Sequence, residues 1–211
     1  VMHDQWNLWK RNVVDKYKTW SSEEIRKDLE FHANPFAVCM EHWKGDFNIG
    51  TLIRNANAFN AKEVFYLGKK RFDPRGSVGS HHYVNVTHLG SCYTSLNKLK
   101  KRYTFIAVDN NTPNTTKLTN FNWNMISKPP LFLFGEESTG LTKEALKMAD
   151  YTIEIEQYGS VRSLNVATSS GILIHDFVRF LKNSTNQCKI QTALYDENDN
   201  EQNESCQLTL L

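Results

Sequence analysis

Much that would place this chain quickly is missing from it. No apolar run in its 211 residues approaches the roughly 20 needed to cross a bilayer. The first residues, Val1-Met2-His3-Asp4-Gln5-Trp6, lack the charged-then-apolar order of a secretory signal. Cysteine is sparse: Cys39, Cys92, Cys188 and Cys206 include no CxxC spacing, which excludes a zinc ribbon or a thioredoxin-like motif. They read as free thiols in a reducing, cytoplasmic compartment. There is no GxGxxG opening a helix after a strand and no GxxxxGK[ST], so the two commonest nucleotide fingerprints of α/β proteins are absent. There is no HExxH, and His81-His82 has no third ligand in sight, so no metal is expected. No internal repeat or linker divides the chain. The Asn-x-Ser/Thr triplets at Asn114 and Asn183 read as chance in an Asn-rich sequence.

What is present is an ordinary globular composition, 40% hydrophobic and 12% aromatic, enough for one buried domain. The net charge of +2 conceals an asymmetry. Asp196, Glu197, Asp199, Glu201 and Glu204 lie in a stretch after residue 190 that has no Lys or Arg. The body of the chain is therefore positive, which suits a polyanionic partner; on charge alone a solvated surface is the simpler reading.

Hydrophobic periodicity predicts strands alternating with helices. Residues 4–31 read as helical, with Ser21 or Ser22 capping in a Ser-Ser-Glu-Glu box. Phe36–Met40 reads as a buried strand and 48–60 as a helix. At about 100° per residue, Ile49, Leu52, Ile53, Ala56 and Phe59 share one arc, opposite Asn48, Thr51, Arg54, Asn55 and Asn57. Val64–Leu67 is a strand, 69–82 a basic loop, Tyr83–His88 strand-like, Ser91–Lys101 a helix and Thr104–Val108 a strand. Asp109–Asn124 reads as polar loop, Leu131–Phe134 as a strand, Thr142 as the cap of a helix through Met148, Tyr151–Ile155 as a strand and Ser163–Lys182 as a long helix. This is an α/β domain with a mostly parallel sheet and helices on both faces. Residues 1–33 form a helical extension, 34–186 the domain and 187–211 an acidic tail expected to be disordered.

Three strand-to-helix junctions carry chemistry-bearing residues. In Asn48–Phe59, Asn48 stands at a cap-like position and Arg54 on the polar arc, where a guanidinium can hold a phosphate bidentately; by itself it reads as a solvated charge. In Leu131–Leu141 an apolar strand runs into Gly135-Glu136-Glu137-Ser138-Thr139-Gly140. Glycines there let backbone approach a ligand closely, or simply make a tight turn. In Ile153–Ala167, Ser163 and Asn165 put short polar groups where helix N–H groups are free; by themselves they cap a helix.

In this order and spacing the three segments resemble the SpoU (TrmH-type) class of the SPOUT superfamily of RNA 2′-O-ribose methyltransferases, over roughly residues 36–182. The family's motifs read approximately N-x-G-x-x-x-R-x-A-x-x-F-G, G-x-E-x-x-G-L and I-P-x-x-G-x-x-x-S-L-N-V. The resemblance implies a deep trefoil knot in the C-terminal half, which ordinary connection rules would exclude. It implies S-adenosyl-L-methionine as cofactor, S-adenosyl-L-homocysteine as product, a homodimer, and RNA as substrate, with transfer RNA ahead of ribosomal RNA. Carried over, the cofactor pocket uses Val108, Gly135, Gly140, Ile155, Gln157, Ser163, Leu164 and Asn165. Arg54 is the central catalytic residue, supported by Asn48, Glu137, Ser163 and Asn165. Lys69, Lys70, Arg71, Arg75 and His81 are candidate RNA contacts, with Lys98, Lys100, Lys101 and Arg102 extending them. The chain departs from the motifs at Asn60, where the family has Gly, and at Glu154, read as standing where the third motif has proline. A catalytically silent RNA-binding module and an unrelated small-molecule enzyme are the competing functional classes.

Overall fold

The computed structural model describes residues 11–44, 47–110 and 112–183. Helix α1 (Ser22–Phe31) begins where Ser21 accepts from the Glu24 amide at 3.2 Å and Glu24 accepts from the Ser21 amide at 2.7 Å, the reciprocal box the sequence predicts. The long helix expected over 4–31 does not extend back from it. Residues 11–20 hold only a 3-10 turn at Asp15–Tyr17, and Lys16 and Tyr17 bind Asp28 of α1 at 2.7 and 2.5 Å. The segment is thus tied to α1 by polar contacts, and Val14 stands 65% exposed. Trp6, Leu8 and Trp9 lie outside the described residues, as does the acidic tail.

Strand β1 (Asn34–His42) leads to α2 (Asn48–Ala58), β2 (Ala61–Gly68) and, after two 3-10 turns, β3 (Val86–His88). Next come α3 (Tyr93–Lys98), β4 (Thr104–Val108), β5 (Thr116–Lys117), β6 (Pro130–Phe134), α4 (Lys143–Met148), β7 (Tyr151–Glu154) and α5 (Val166–Lys182). The seven strands form one sheet in the order β3-β2-β1-β6-β4-β7-β5, and every pairing is parallel. Strand β6 thus lies between β1 and β4.

Side chains alternate across β1. Phe36, Val38 and Met40 face a core shared with α2 and α5, through Ile49, Leu52, Ile53, Leu173 and Phe177. Ala37 and Cys39 face a second core with Leu96 of α3 and Ala145 of α4. Burial on both faces is why the central strands read as continuous apolar runs.

Several boundaries differ from the predicted ones. Tyr83–His88 shortens to β3, and Ser91–Lys101 to α3 plus a 3-10 turn. The stretch expected as polar loop, Asp109–Asn124, contains edge strand β5 and buries Leu118, Phe121 and Trp123. Trp123 packs on Phe177 with ring centroids 5.0 Å apart and donates its indole N–H to Asp176 at 2.9 Å. These apolar residues follow no regular period, so no pattern marked them. Asn60 ends the turn after α2 with φ +50° and donates to the Leu29 and His32 carbonyls at 3.0 and 2.9 Å. Asparagine tolerates the left-handed conformation and here also docks α1, which glycine could not do.

Candidate active site

A cavity of about 510 Å³ opens at the carboxyl ends of β4, β6 and β7, where open parallel sheets gather ligands. Its wall runs through Val108–Asn110, Phe134–Leu141, Ile155, Gln157, Arg162–Leu164, Val166 and Ser169.

The turn after β6 is closed by its own backbone. The Gly140 amide donates to the Glu136 carbonyl at 2.8 Å, and Gly140 adopts φ +67°, a conformation glycine reaches at little cost. A Cβ on Gly135 would sit 2.1 Å from the Gly140 carbonyl carbon, so no side chain fits. Buried Glu136 turns its carboxylate to the Lys44 amide, while Glu137 is exposed and accepts from Asn48 Nδ2 at 2.8 Å.

Helix α5 begins three residues later than the predicted Ser163. Asn165 is its N-cap, accepting from the Ala167 and Thr168 amides at 2.9 and 3.3 Å. Ser163 and Leu164 belong to the preceding loop. That loop must stay extended to line the cavity, and the first side chain able to satisfy the free helix amides is Asn165. The Asn165 amide nitrogen donates to Asn48 Oδ1 at 2.9 Å. Asn48 is the first helical residue of α2, not its side-chain cap; its amide instead bridges Glu137 and Asn165. One residue from each of the three motif segments therefore meets in a single hydrogen-bonded chain.

Of the expected pocket residues, Val108, Gly135, Gly140, Ile155, Gln157, Ser163 and Leu164 line the cavity; Asn165 stands beside it. Arg54 is exposed on α2 and does not line the cavity of its own chain. Among the described residues it has no side-chain hydrogen bond or ion pair.

The basic loop separates into two kinds of cation. Lys69 donates to the Lys44 carbonyl at 2.7 Å, and Arg75 pairs with Asp73 at 2.5 Å. His81 shares a 2.6 Å hydrogen bond with Ser77; burial, and then the neighbouring His82, hold its pKa below the ordinary histidine value. Lys70 and Arg71 are exposed with no side-chain partner among the described residues. Their backbone is fastened from below. The Gly68 and Arg71 carbonyls contact His88 and His42 ring nitrogens at 2.8 and 3.2 Å, and Tyr66 donates to the Lys70 carbonyl at 2.8 Å. Lys100 and Arg102 are engaged with Asp150 and Glu63.

Sequence reasoning missed several groups. Glu41, 2% exposed, accepts from the Thr142 amide and hydroxyl at 2.8 and 2.7 Å and from Tyr93. It ties the start of α4 to the end of β1; burial and then Glu41 push the Tyr93 phenol above its usual range. A charged residue closing an apolar strand was the available signal. Lys44 reaches Ser138 at 2.9 Å, and the Asn110 amide donates to the Arg162 carbonyl at 2.8 Å. Counting back from Ser163 through Gly159, the third motif's proline position falls on Glu156 and not on the expected Glu154. Glu156 accepts from Thr119, while Glu154 accepts from Thr115 at 2.6 Å, so two acids secure the segment that precedes and follows β5.

A cavity at the carboxyl ends of a fully parallel sheet, walled by a glycine-closed turn and the loop into a capped helix, defines an α/β ligand-binding domain. The model of the SpoU rRNA Methylase family matches residues 35–175, and the chain belongs to that family. It is similar to the tRNA (guanosine(18)-2′-O)-methyltransferase of Escherichia coli strain K12, 29% identical over 150 residues. That match covers 70% of this chain and 64% of the relative, so the chain spans less than two thirds of that protein's length. The enzyme of the same name from Aquifex aeolicus is 27% identical over 161 residues, covering 74% of this chain and 75% of the relative. Among solved structures, the A. aeolicus TrmH/SpoU tRNA modifying enzyme superposes with a TM-score of 0.64 at 21% identity, covering 83% of this chain and 93% of that one. The SpoU methyltransferase AviRb from Streptomyces viridochromogenes, in complex with AdoMet, gives 0.61 at 23% identity, covering 71% of this chain and 59% of that one.

Proposed function

We propose that this chain is an S-adenosyl-L-methionine-dependent methyltransferase acting on a ribose 2′-hydroxyl in RNA, with transfer RNA as the favoured substrate. The carrying observation is the meeting of Asn48, Glu137 and Asn165 beside a cavity walled by the second and third motif segments. Family membership and the names of the curated relatives support the reaction class. Residues 34–186 form the methyltransferase domain of this reading, with 1–33 as its extension.

The cavity suits the cofactor. Its volume of about 510 Å³ is in the usual range for small-molecule sites. Val108, Phe134, Leu141, Leu164 and Val166 offer apolar surface to a base. Gln157 Oε1 in the wall is buried without a partner, an acceptor that a base N–H would satisfy. When bound, the cofactor supplies a methyl group activated by its sulfonium. What remains for the protein is to orient the ribose oxygen and favour its loss of a proton. Asn48 and Asn165 hold Glu137 and the loop beside the acceptor. Arg54 stabilises the developing charge on the ribose oxygen; a guanidinium does not act as a base at ordinary pH, and a substrate phosphate takes the proton.

Because Arg54 stands outside the cavity of its own chain, a second copy completes the site in this reading. The exposed apolar residues Phe47, Tyr158, Val161 and Ile172 lie on the motif segments and α5, and they supply surface for such a homodimer. The knotted threading and a cytoplasmic location belong to the same proposal.

The test is transfer of labelled methyl to unmodified tRNA, with the modified nucleotide mapped by mass spectrometry. Calorimetry with S-adenosyl-L-methionine is run alongside. Arg54→Ala is expected to lower kcat by about 100-fold or more, the scale of losing one preorganised charge-stabilising group, with cofactor affinity unchanged. Near-normal turnover with unchanged RNA binding would remove Arg54 from the chemistry.

A further inference from the structure

Helices α2 and α5 are joined by more than apolar packing. Asn55 Nδ2 donates to the Ala167 carbonyl at 2.7 Å and to Ser170 Oγ at 2.9 Å. Ser170, fully buried, donates its own hydroxyl proton to the same carbonyl at 2.7 Å. Gly171 lies against the clasp: a Cβ there would be in ordinary van der Waals contact with Asn55 Nδ2, 3.5 Å away. The Asn48–Asn165 bond at 2.9 Å and the Phe59–His175 ring contact at 6.0 Å lie before and after this clasp. The three contacts lay the two helices side by side with their N-termini together at the cavity.

Apolar burial is non-directional. It sets how far α2 stands from the sheet but constrains weakly how α2 is rolled about its own axis. A hydrogen bond fixes direction as well as distance. Asn55 is the immediate neighbour of Arg54, so its clasp sets the roll where it matters. A side-chain tip about 5–6 Å from a helix axis swings through about 1 Å for a roll of about 10°. A misplacement of about 1 Å at a reacting centre costs about 100-fold in rate.

We propose that Asn55 is a positioning residue for methyl transfer: its bonds to Ala167 and Ser170 fix the roll of α2 and so set the direction in which Arg54 is presented to the site that a second copy completes. The proposal rests on the chain being an RNA ribose methyltransferase with Arg54 at the reacting hydroxyl.

The variant Asn55→Leu keeps the size of the side chain and removes both bonds. Its kcat for methyl transfer to RNA is expected to fall about 10- to 100-fold. KM for RNA and the calorimetric Kd for S-adenosyl-L-homocysteine stay within about two-fold, the pattern of a group felt only in the transition state. Ser170→Ala keeps the bond to Ala167 and loses about three-fold in kcat, as for one of two neutral hydrogen bonds. Val178→Ala, partly buried farther along α5, lowers thermal stability without touching the clasp and leaves kcat at the wild-type value. The proposal is overturned by normal kcat in Asn55→Leu and Ser170→Ala, by a kcat loss in Val178→Ala equal to theirs, or by a cofactor-product Kd that rises in step with the kcat loss. Should Asn55→Leu fail to fold, Ser170→Ala decides alone. A wild-type chain that moves no methyl group to RNA sinks the functional reading and this role with it, whereas a fully active Arg54→Ala removes Arg54 from the chemistry and overturns this role while leaving the methyltransferase reading standing. An active wild type that needs Arg54 but tolerates Asn55→Leu sinks only the positioning role.

Discussion

A Cβ on Gly135 would overlap the Gly140 carbonyl carbon at 2.1 Å, and the atoms nearest it all belong to the Gly140–Leu141 peptide, with no flexible side chain to yield. Gly135→Ala is therefore expected to open the Glu136–Gly140 turn. The cost is at least about 2 kcal/mol of stability, as for other overpacked sites, together with loss of S-adenosyl-L-homocysteine binding by calorimetry. Retained binding at unchanged melting temperature would contradict this account of the turn. His81 illustrates a role reversed by its surroundings. Its sequence position in a basic loop marks it for RNA, yet burial and His82 keep its pKa below the ordinary 6.5, which disfavours the charged form that a phosphate would bind. The unfolded chain binds that proton more tightly than the folded one. The stability it contributes is complete above pH 6.5 and is lost as pH falls through that value toward the lowered folded one. Denaturant unfolding at pH 7 and pH 5 should show wild-type stability falling on acidification, and His81→Asn should reduce the fall.

Among the elements, the basic segment after β2 carries its positive charge unevenly. Lys69 and Arg75 are occupied by Lys44 and Asp73, whereas Lys70 and Arg71 stand outward on a backbone held by His42, Tyr66 and His88. Neutralising Lys70 and Arg71 together should reduce the slope of log Kobs against log salt for tRNA by roughly 0.7–0.9 for each phosphate that is no longer neutralised. Lys69→Met should change that slope less. Equal slopes for the double variant and wild type would take the segment out of RNA binding. At the other end of the described chain, Ser21→Ala removes one half of the capping box. It should cost about 1 kcal/mol by thermal unfolding while leaving methyl transfer intact. Capping boxes and apolar arcs are local patterns, so α1, α2 and α4 were readable from sequence. β5 and the burial of Leu118, Phe121 and Trp123 were not, because their partners lie far along the chain and their spacing is irregular.

For the molecule as a whole, the position of Arg54 outside the cavity makes assembly the decisive property. Sedimentation is expected to show a dimer. Replacing Val161 and Ile172 together by Asp should yield monomers with kcat reduced by about 100-fold, the scale of a misplaced reacting group. Monomers with full activity would place the whole reaction within one chain. The sequence by itself determined the alternation of strands and helices, the two-sided burial of the central strands and the three motif segments. Each of these is written in residues a few positions apart. Only the tertiary structure decided that β6 inserts between β1 and β4. It alone brings Asn48, Glu137 and Asn165 into one hydrogen-bonded chain, and it engages Lys69 with the Lys44 carbonyl. Those outcomes depend on which distant segments meet, and a hydrogen bond between residues about 90 or 120 positions apart leaves no period for a local pattern to reveal.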